Sequence, residues 1–159
     1  MILGCYSRPE TGNHILIGSE DPECDERIFV DPDNWDENFT EQWKTQVLRQ
    51  AQRYPNLPIS NNVKGVVSLY DVTDDWIPIY DKSDLPGFYM AIGTSGNQFK
   101  NAPVAGVLMS ELIEYCENGN NHDTEPLTIN LKYINKDINL KFYSRNRQIN
   151  EESSMSVLG

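Results

Sequence analysis

The sequence predicts an α+β fold that combines a mixed sheet with two main helices, near residues 41–54 and 102–117. In both helical segments, apolar side chains recur at helical spacing. Residues 87–92 form a short apolar run that begins with Pro86-Gly87, which is the composition of a buried strand. Because both patterns occur in one short chain, the α+β class is the expected one.

The N-terminal part is expected to contain a hairpin over residues 6–17, with Gly12-Asn13 as its turn. Residues 19–38 are acidic and rich in turn-forming residues, so a surface loop is expected there.

The first helix is expected to begin after Thr40, a suitable N-cap, and to end before Pro55 and Pro58. The apolar side chains on one face of this helix are Trp43, Val47, Ala51 and Tyr54.

Two further strand-like segments precede the second helix. Residues 64–71 are a strand candidate, and residues 76–79 form a short extended segment. The second helix has Pro103 in its first turn, where proline is favoured. Beyond it, residues 127–143 alternate in places and predict either a two-stranded excursion or an extended arm, while the polar tail 144–159 is expected to pack on the body or fray.

Composition limits the classes of function. The chain has 159 residues, the length of one domain, with 38% hydrophobic residues and a mean hydropathy of −0.56. This low apolar content predicts a core that another segment completes, or a loose polar domain. The net charge of −11 opposes binding to phosphate backbones, so nucleic acid is not expected as a partner.

The sequence also indicates in which cellular compartment the protein is expected. No stretch approaches the roughly 20 apolar residues of a membrane span, and the first residues lack a signal pattern. The cysteines, Cys5, Cys24 and Cys116, are widely spaced and odd in number. They are therefore expected to be reduced thiols in a cytoplasmic protein.

The loop between the 87–92 strand and the second helix is the main candidate site. Gly93 and Gly96 enclose two small residues, so the backbone there can approach a ligand closely. A helix N-terminus beside such a loop favours an anion or a developing negative charge. The glycine spacing alone supports ligand binding and an ordinary turn equally.

Five sequence elements stand in a fixed order around this loop. They are Tyr-Asp-x-Thr-x-Asp at 70–75, Ile-Pro-Ile at 77–79, Gly-Phe-Tyr-x-Ala-x-Gly at 87–93, Ser-Gly-x-x-Phe-Lys at 95–100, and Ala-Pro at 102–103. In this order they closely resemble the C-terminal part of FAD-dependent oxidoreductases of the D-amino-acid oxidase superfamily, nearest to the sarcosine, dimethylglycine and glycine oxidase-like branch. Residues 8–12 and 21–25 also resemble pieces of that family's substrate-side sheet.

The resemblance implies a division of the chain. Residues 1–60 would belong to the substrate-side sheet and helix, 61–118 to the C-terminal part of the FAD-binding domain, and 119–159 to an extension. The Gly-x-Gly-x-x-Gly motif of a dinucleotide-binding unit is absent from the sequence. The chain is therefore expected to be a subunit, truncation or fragment that lacks this N-terminal half, with the missing half as its partner.

The resemblance also implies site residues. Lys100 would help to hold a substrate carboxylate near the flavin, and Tyr6 and Arg8 would line the substrate pocket. The loop that approaches the pyrimidine edge of the flavin would comprise Gly93, Thr94, Ser95, Gly96, Asn97, Gln98 and Phe99. Many relatives have glycine where Gln98 stands, so the detailed loop geometry is open. For Lys100, Tyr6 and Arg8, an ordinary surface role is the alternative.

Ser68 occupies the position at which some sarcosine oxidases carry a cysteine linked to the flavin. Serine cannot form that thioether, so noncovalent FAD, or attachment through the missing half, is expected. His14 and His122 are too isolated for a metal site, and the acidic residues between 21 and 33 lack an EF-hand pattern. No metal site is therefore expected.

Two functions remain open at the level of sequence. The first is a fragment or subunit of an FAD-dependent oxidoreductase that oxidises a C–N bond of a small amine or amino acid by hydride transfer. The second is a noncatalytic interaction module that kept the fold. Self-association is also expected, through apolar residues that lose their cover: Val66, Ile77, Ile79 and the strand at 88–92.

Overall fold

The computed structural model describes residues 5–19, 28–59, 61, 64–96 and 98–153. The chain forms two compact units, residues 1–69 and residues 70–159. Asn97, Cys24 and the 21–25 segment that resembles the substrate-side sheet lie outside the described residues. The assignment of residues 1–60, 61–118 and 119–159 to parts of a flavoenzyme stays a prediction.

The first unit begins with the predicted hairpin. Strand β1 (Cys5–Glu10) pairs antiparallel with β2 (His14–Ser19). The turn between them uses Gly12 and Asn13, whose φ angles are 70° and 61°. Glycine and asparagine tolerate this left-handed conformation best, which explains why the turn falls there.

Helix α1 (Glu41–Ala51) follows, and its N-cap is confirmed. The Thr40 hydroxyl accepts a hydrogen bond from the Trp43 amide at 3.1 Å. The helix ends three residues before the predicted position at 54, and its buried face carries Gln46 and Gln50 besides Ala51. Glutamine can occupy this buried face because it bonds to the hairpin. The Gln50 side-chain amide donates to the Ser7 hydroxyl at 3.1 Å.

The predicted strand at 64–71 is wrong. None of these residues belongs to a strand, and Val66 is 88% exposed. A strand requires a ladder of hydrogen bonds to a neighbour, which the apolar composition of a segment cannot supply by itself.

The second unit is built from two hairpins and one long helix. Strand β3 (Ile79–Lys82) pairs with β4 (Tyr89–Ile92), and β5 (Thr128–Leu131) pairs with β6 (Lys136–Asn139), both antiparallel. Helix α2 (Ala102–Glu117) confirms the second predicted helix, and 3-10 turns occupy Gln98–Asn101 and Leu140–Tyr143.

The described strands form three separate antiparallel pairs instead of the predicted mixed sheet. Each pair is joined by a short turn, and a short turn cannot connect parallel strands. The α+β class itself is confirmed. Of the two alternatives for residues 127–143, the structure has the two-stranded one.

The core of the second unit is formed by side chains from β3, α2, β5 and the 3-10 turn at Leu140–Tyr143. Its buried apolar residues are Tyr80, Leu108, Leu112, Ile129 and Leu140. Ile77 is also buried, at 2% exposure, so the prediction that it loses its cover is wrong.

Two arginines hold the C-terminal segment on this unit. Arg147 donates through Nε to Asp75 Oδ2 at 3.0 Å. Arg145 forms ion pairs with Asp81, Asp84 and Asp123, at 3.1, 2.6 and 2.9 Å. The hydrogen bonds from Arg145, followed by those from Lys82, hold the pKa of Asp123 at about 2. The described part of the polar segment after residue 143 therefore packs on the second unit, through ion pairs that include the buried Asp81.

Candidate functional site

The glycine loop has the strained backbone that its sequence suggests. Gly93 and Gly96 have φ angles of 67° and 76°, and Ser95 between them has a φ of 52°. A left-handed serine is uncommon and requires support from its surroundings. Ser95 has that support, because it is fully buried and its amide donates to the carbonyl of Asp71 at 2.9 Å.

Asp71 holds the loop through its carboxylate as well. The amides of Gly93 and Thr94 donate to Oδ2 at 2.8 and 3.1 Å, and the Thr94 hydroxyl donates to Oδ1. Partial burial raises the pKa of Asp71, but the hydrogen bonds from Thr94 and Gly93 outweigh it and keep the pKa below its ordinary value. Three consecutive loop amides, at 93–95, are thus directed at Asp71.

Residues next to Asp71 pack against the two glycines. A Cβ atom at Gly96 would overlap the ring of Tyr70, and one at Gly93 would overlap the methyl group of Thr73. Both glycines therefore meet two requirements at once, a left-handed backbone and close packing. The Tyr-Asp-x-Thr segment therefore supports the loop.

An Asp71→Asn variant is expected to loosen this loop. The amide of asparagine can replace only part of the acceptor capacity of the carboxylate, so the free energy of unfolding should fall by about 1–2 kcal/mol. Amide hydrogen exchange at Gly93 and Thr94 should accelerate. The control is Asp74→Asn, at an exposed neighbour. Unchanged exchange in Asp71→Asn would contradict this role.

The 3-10 turn after the loop contains a second polar arrangement. The Gln98 side-chain carbonyl accepts hydrogen bonds from the Tyr80 hydroxyl at 3.1 Å and from the Asn101 amide at 3.0 Å. Asn101 is the N-cap residue of α2, but its side chain makes this bond instead of a capping bond. Gln98 lies in a right-handed helical turn, so this position does not require the glycine that many relatives have.

A hollow of about 480 Å³ opens beside the loop and the start of α2. Most of its wall is apolar and consists of small residues. The lining residues are Tyr80, Ala91, Thr94, Gly96, Gln98, Phe99, Ala102 and Ala105. Phe99 is 98% exposed, which makes its ring an uncovered apolar surface at the rim.

Lys100 lies on the same 3-10 turn, next to Phe99, with its side chain exposed to solvent. It is not among the residues that line the hollow within the described part of the chain. The role of Lys100 in substrate binding stays a prediction.

Tyr6 and Arg8 belong to the first unit. Both are exposed on β1, where Arg8 forms an ion pair with Glu10 at 3.0 Å and the Tyr6 ring packs over Gly18. Their assignment to a substrate pocket stays a prediction, as does the assignment of Asn97, which lies outside the described residues.

Sequence reasoning missed the residues that support the site. Tyr80, Asn101 and Arg147 were not singled out, and for Asp71 a structural role and a ligand-facing role were expected equally. A signal did exist for Asp71 and Asp75, because both belong to the Tyr-Asp-x-Thr-x-Asp segment. The partners of these carboxylates are distant in sequence, so the pattern alone could not identify them.

Two features are absent from the described residues, a metal-binding cluster and a membrane-spanning helix. No group of three or more His, Cys, Asp or Glu side chains is arranged to hold a metal ion there. Nor does any described helix combine the length and the apolar character needed to cross a membrane.

Comparison with known proteins identifies the family. The family model described as FAD dependent oxidoreductase matches residues 2–112, which is more than half of the chain. The chain therefore belongs to the FAD-dependent oxidoreductases. No curated protein and no solved structure matches it.

The lining of the hollow is compatible with a planar ring such as the one in FAD, the cofactor that this family uses. Gly96 and three alanines at 91, 102 and 105 leave room for the edge of a planar ring. Gln98 and Thr94 add polar groups to that wall.

Proposed function

We propose that this chain supplies the ring-facing part of an FAD-dependent oxidoreductase that oxidises a C–N bond of a small amine or amino acid. The hollow beside the glycine loop, in a chain of this family, is the observation that carries the proposal. The branch we favour is the sarcosine, dimethylglycine and glycine oxidase-like one, because its Ser-Gly-x-x-Phe-Lys pattern stands at 95–100. A cytoplasmic setting is part of the proposal.

In this proposal, the chain's own residues position the substrate and form a rigid wall beside the cofactor. When bound, FAD would accept a hydride from the substrate. Lys100 would fix the substrate carboxylate, which orients the C–H bond to be broken. The loop supported by Asp71 would hold the wall of the hollow rigid. Ser68 cannot form a thioether, so the cofactor would be noncovalent as far as this chain is concerned.

The proposal assigns the adenosine and pyrophosphate contacts to a partner that carries the dinucleotide-binding half. Helix α2 supports a partner of this kind, because its apolar surface extends beyond the part that the second unit covers. Leu108 and Leu112 are buried, whereas Val104 and Val107, nearby on the helix surface, are 44% and 48% exposed. Uncovered apolar side chains beside a buried face are typical of a surface that a partner covers.

Without such a partner, the isolated chain is expected to self-associate through this face. Light scattering should give a mass above the 18.2 kDa of one chain, and a hydrophobic dye should bind. The Val104→Thr/Val107→Thr double variant should shift the equilibrium toward monomer, while the control Val30→Thr, at a site of the first unit that is 45% exposed, should not. A dispersed monomer that binds no dye would contradict this prediction.

The main experiment supplies the missing half. The chain is purified alone and co-expressed with the dinucleotide-binding half of a family member, and the visible flavin absorbance is recorded. We expect weak or no FAD binding for the chain alone, and a coloured complex that small amines or amino acids bleach under anaerobic conditions. A coloured complex that no C–N substrate bleaches would contradict the proposed reaction, and submicromolar FAD affinity of the chain alone would contradict the proposed division of contacts.

The alternative is a noncatalytic interaction module. One observation favours it. The three loop amides at 93–95 already donate to Asp71, so they are occupied within the protein and are not directed at a ligand. A complex that forms without colour at saturating FAD would support this alternative.

A further inference from the structure

We propose that His122 is a pH-dependent conformational switch of the second unit. While its ring is neutral, the residue holds the start of the β5–β6 hairpin in place, and when the ring takes up a proton, the start of the hairpin is released. Within the described part of the chain, His122 is not among the residues that line the hollow beside the glycine loop. The switch is therefore independent of the proposed function.

The hydrogen bonding of His122 determines where its proton lies. The residue is in the loop between α2 and β5 and is only 1% exposed. Its Nδ1 atom accepts a hydrogen bond from the Leu127 amide at 3.2 Å. Because a backbone N–H can only donate, Nδ1 carries no proton, so the neutral ring is protonated at Nε2. Nε2 has no hydrogen-bond partner in the described part of the chain, and Asp81 Oδ1 lies 3.9 Å from it.

The hydrogen bond from Leu127 matters because this residue connects the loop to the hairpin. Leu127 directly precedes β5, and its carbonyl accepts a hydrogen bond at 2.8 Å from the amide of Leu140, which directly follows β6. Leu140 is fully buried and Ile129 of β5 is 9% exposed, and both belong to the core of the second unit. The His122 ring thus holds the point at which the hairpin and its core side chains join the rest of the unit.

Charged and titratable groups face His122 from several elements of the unit. They are Asp81 and Lys82 of β3, the Cys116 thiol of α2, Asp123 of the same loop, and Arg145 of the C-terminal segment. Burial lowers the pKa of His122, while the two carboxylates oppose this shift and the two cations add to it. The ring is therefore neutral at pH 7, and to charge it in place is unfavourable.

Protonation replaces one arrangement of the ring by another. A second N–H, at Nδ1, would face the N–H of Leu127, and two donors cannot bond to each other. The charged ring also attracts Asp81, whose carboxylate is fully buried and whose Oδ1 lies 3.9 Å from Nε2. The neutral ring therefore favours the bond to Leu127, whereas the charged ring favours Asp81 and the release of Leu127. Two arrangements that a single proton exchanges are the basis of a histidine switch.

The lowered pKa determines the sign of the effect. The closed hairpin is fully stabilised above about pH 6.5, the ordinary pKa of histidine, and it loses stability as the pH falls through the lower pKa of the closed state. Acid therefore opens the hairpin. The neighbouring Asp123 does not cause this change, because its pKa is about 2 and it stays ionised.

The test follows amide hydrogen exchange of the full chain by NMR, together with the titration of the His122 ring. The protection factors of Leu127 and Leu140 should fall by roughly tenfold per pH unit below the ordinary pKa of histidine, until the ring in the closed state takes up its proton. The fall should therefore end near the pKa measured for the His122 ring, while protection in α1 should not change. Protection factors of Leu127 and Leu140 that stay constant while the ring is protonated would overturn the proposal.

Two asparagine variants separate the switch from other effects of acid. Asparagine at position 122 keeps an acceptor for the Leu127 amide but does not titrate, so in His122→Asn the protection factors should not depend on pH in this range. The matched control is His14→Asn, at the other histidine of the chain, which is exposed on β2 and should retain the wild-type dependence. A fall in protection that persists in His122→Asn would assign it to another group and overturn the switch. If His122→Asn does not fold, the comparison of ring titration with protection in the wild-type chain decides.

Discussion

Replacement of Arg147 by methionine is expected to destabilise the second unit by about 3–5 kcal/mol. The Arg147 guanidinium donates to Asp75 through Nε at 3.0 Å and through Nη2 at 2.6 Å, and Asp75 is 2% exposed. Nη2 also bonds the carbonyl of Ile77 at 2.8 Å. Methionine keeps the volume of the stem but leaves the Asp75 carboxylate buried without its cation, which is the costly way to break such a pair.

The measurement is chemical denaturation of the variant and of wild type, followed by a tryptophan or circular dichroism signal. Arg49→Met is the control, because Arg49 is exposed in the last turn of α1 and the same change there should cost less than about 1 kcal/mol. If the free energy of unfolding falls by no more in Arg147→Met than in Arg49→Met, the Asp75–Arg147 pair makes no special contribution to stability.

The pH dependence gives an independent check. The hydrogen bonds from Arg147 hold the pKa of Asp75 well below its ordinary value, in spite of burial, which raises it. The stability that Asp75 contributes is therefore fully present above the unfolded pKa of about 4, and it is lost as the pH falls through the lower folded pKa. In Arg147→Met, protonation of the isolated carboxyl relieves the penalty, so the difference from wild type should shrink below about pH 4.

Local patterns were sufficient for the elements that depend on local chemistry. The hairpin at 5–19, helix α2 and strand β4 were predicted because turn residues and apolar spacing determine them within a few positions. The segment at 64–71 was predicted wrongly, because strand propensity says nothing about whether a partner strand is present.

The support of the site could not be predicted, since it depends on contacts between distant residues. Asp71 is 22 positions from Gly93, and Asp75 is 72 positions from Arg147. Carboxylates followed by small polar residues occur in many loops, so their sequence gives no indication of these particular partners. The glycine loop itself was predicted, because left-handed glycines have a clear local signature.

In the complete enzyme, Lys100→Met is expected to raise KM for a carboxylate substrate roughly ten- to a hundredfold. A charge-assisted hydrogen bond to a carboxylate contributes about 1.5–3 kcal/mol, which corresponds to that range in affinity. Lys100 is exposed, and methionine retains much of its stem, so bound flavin and stability should stay close to wild type. The rate of flavin reduction should fall as well, because the C–H bond is no longer held in position.

Two control variants make the test of Lys100 specific. Lys100→Arg keeps the charge and should recover much of the affinity, whereas Lys132→Met removes an exposed lysine next to β5 and should leave KM unchanged. An amine substrate without a carboxylate should be oxidised equally well by wild type and by Lys100→Met, since it offers the cation no partner. If KM and the reduction rate for the amino-acid substrate are unchanged in Lys100→Met, then Lys100 is a surface residue and the cation that orients the carboxylate lies elsewhere.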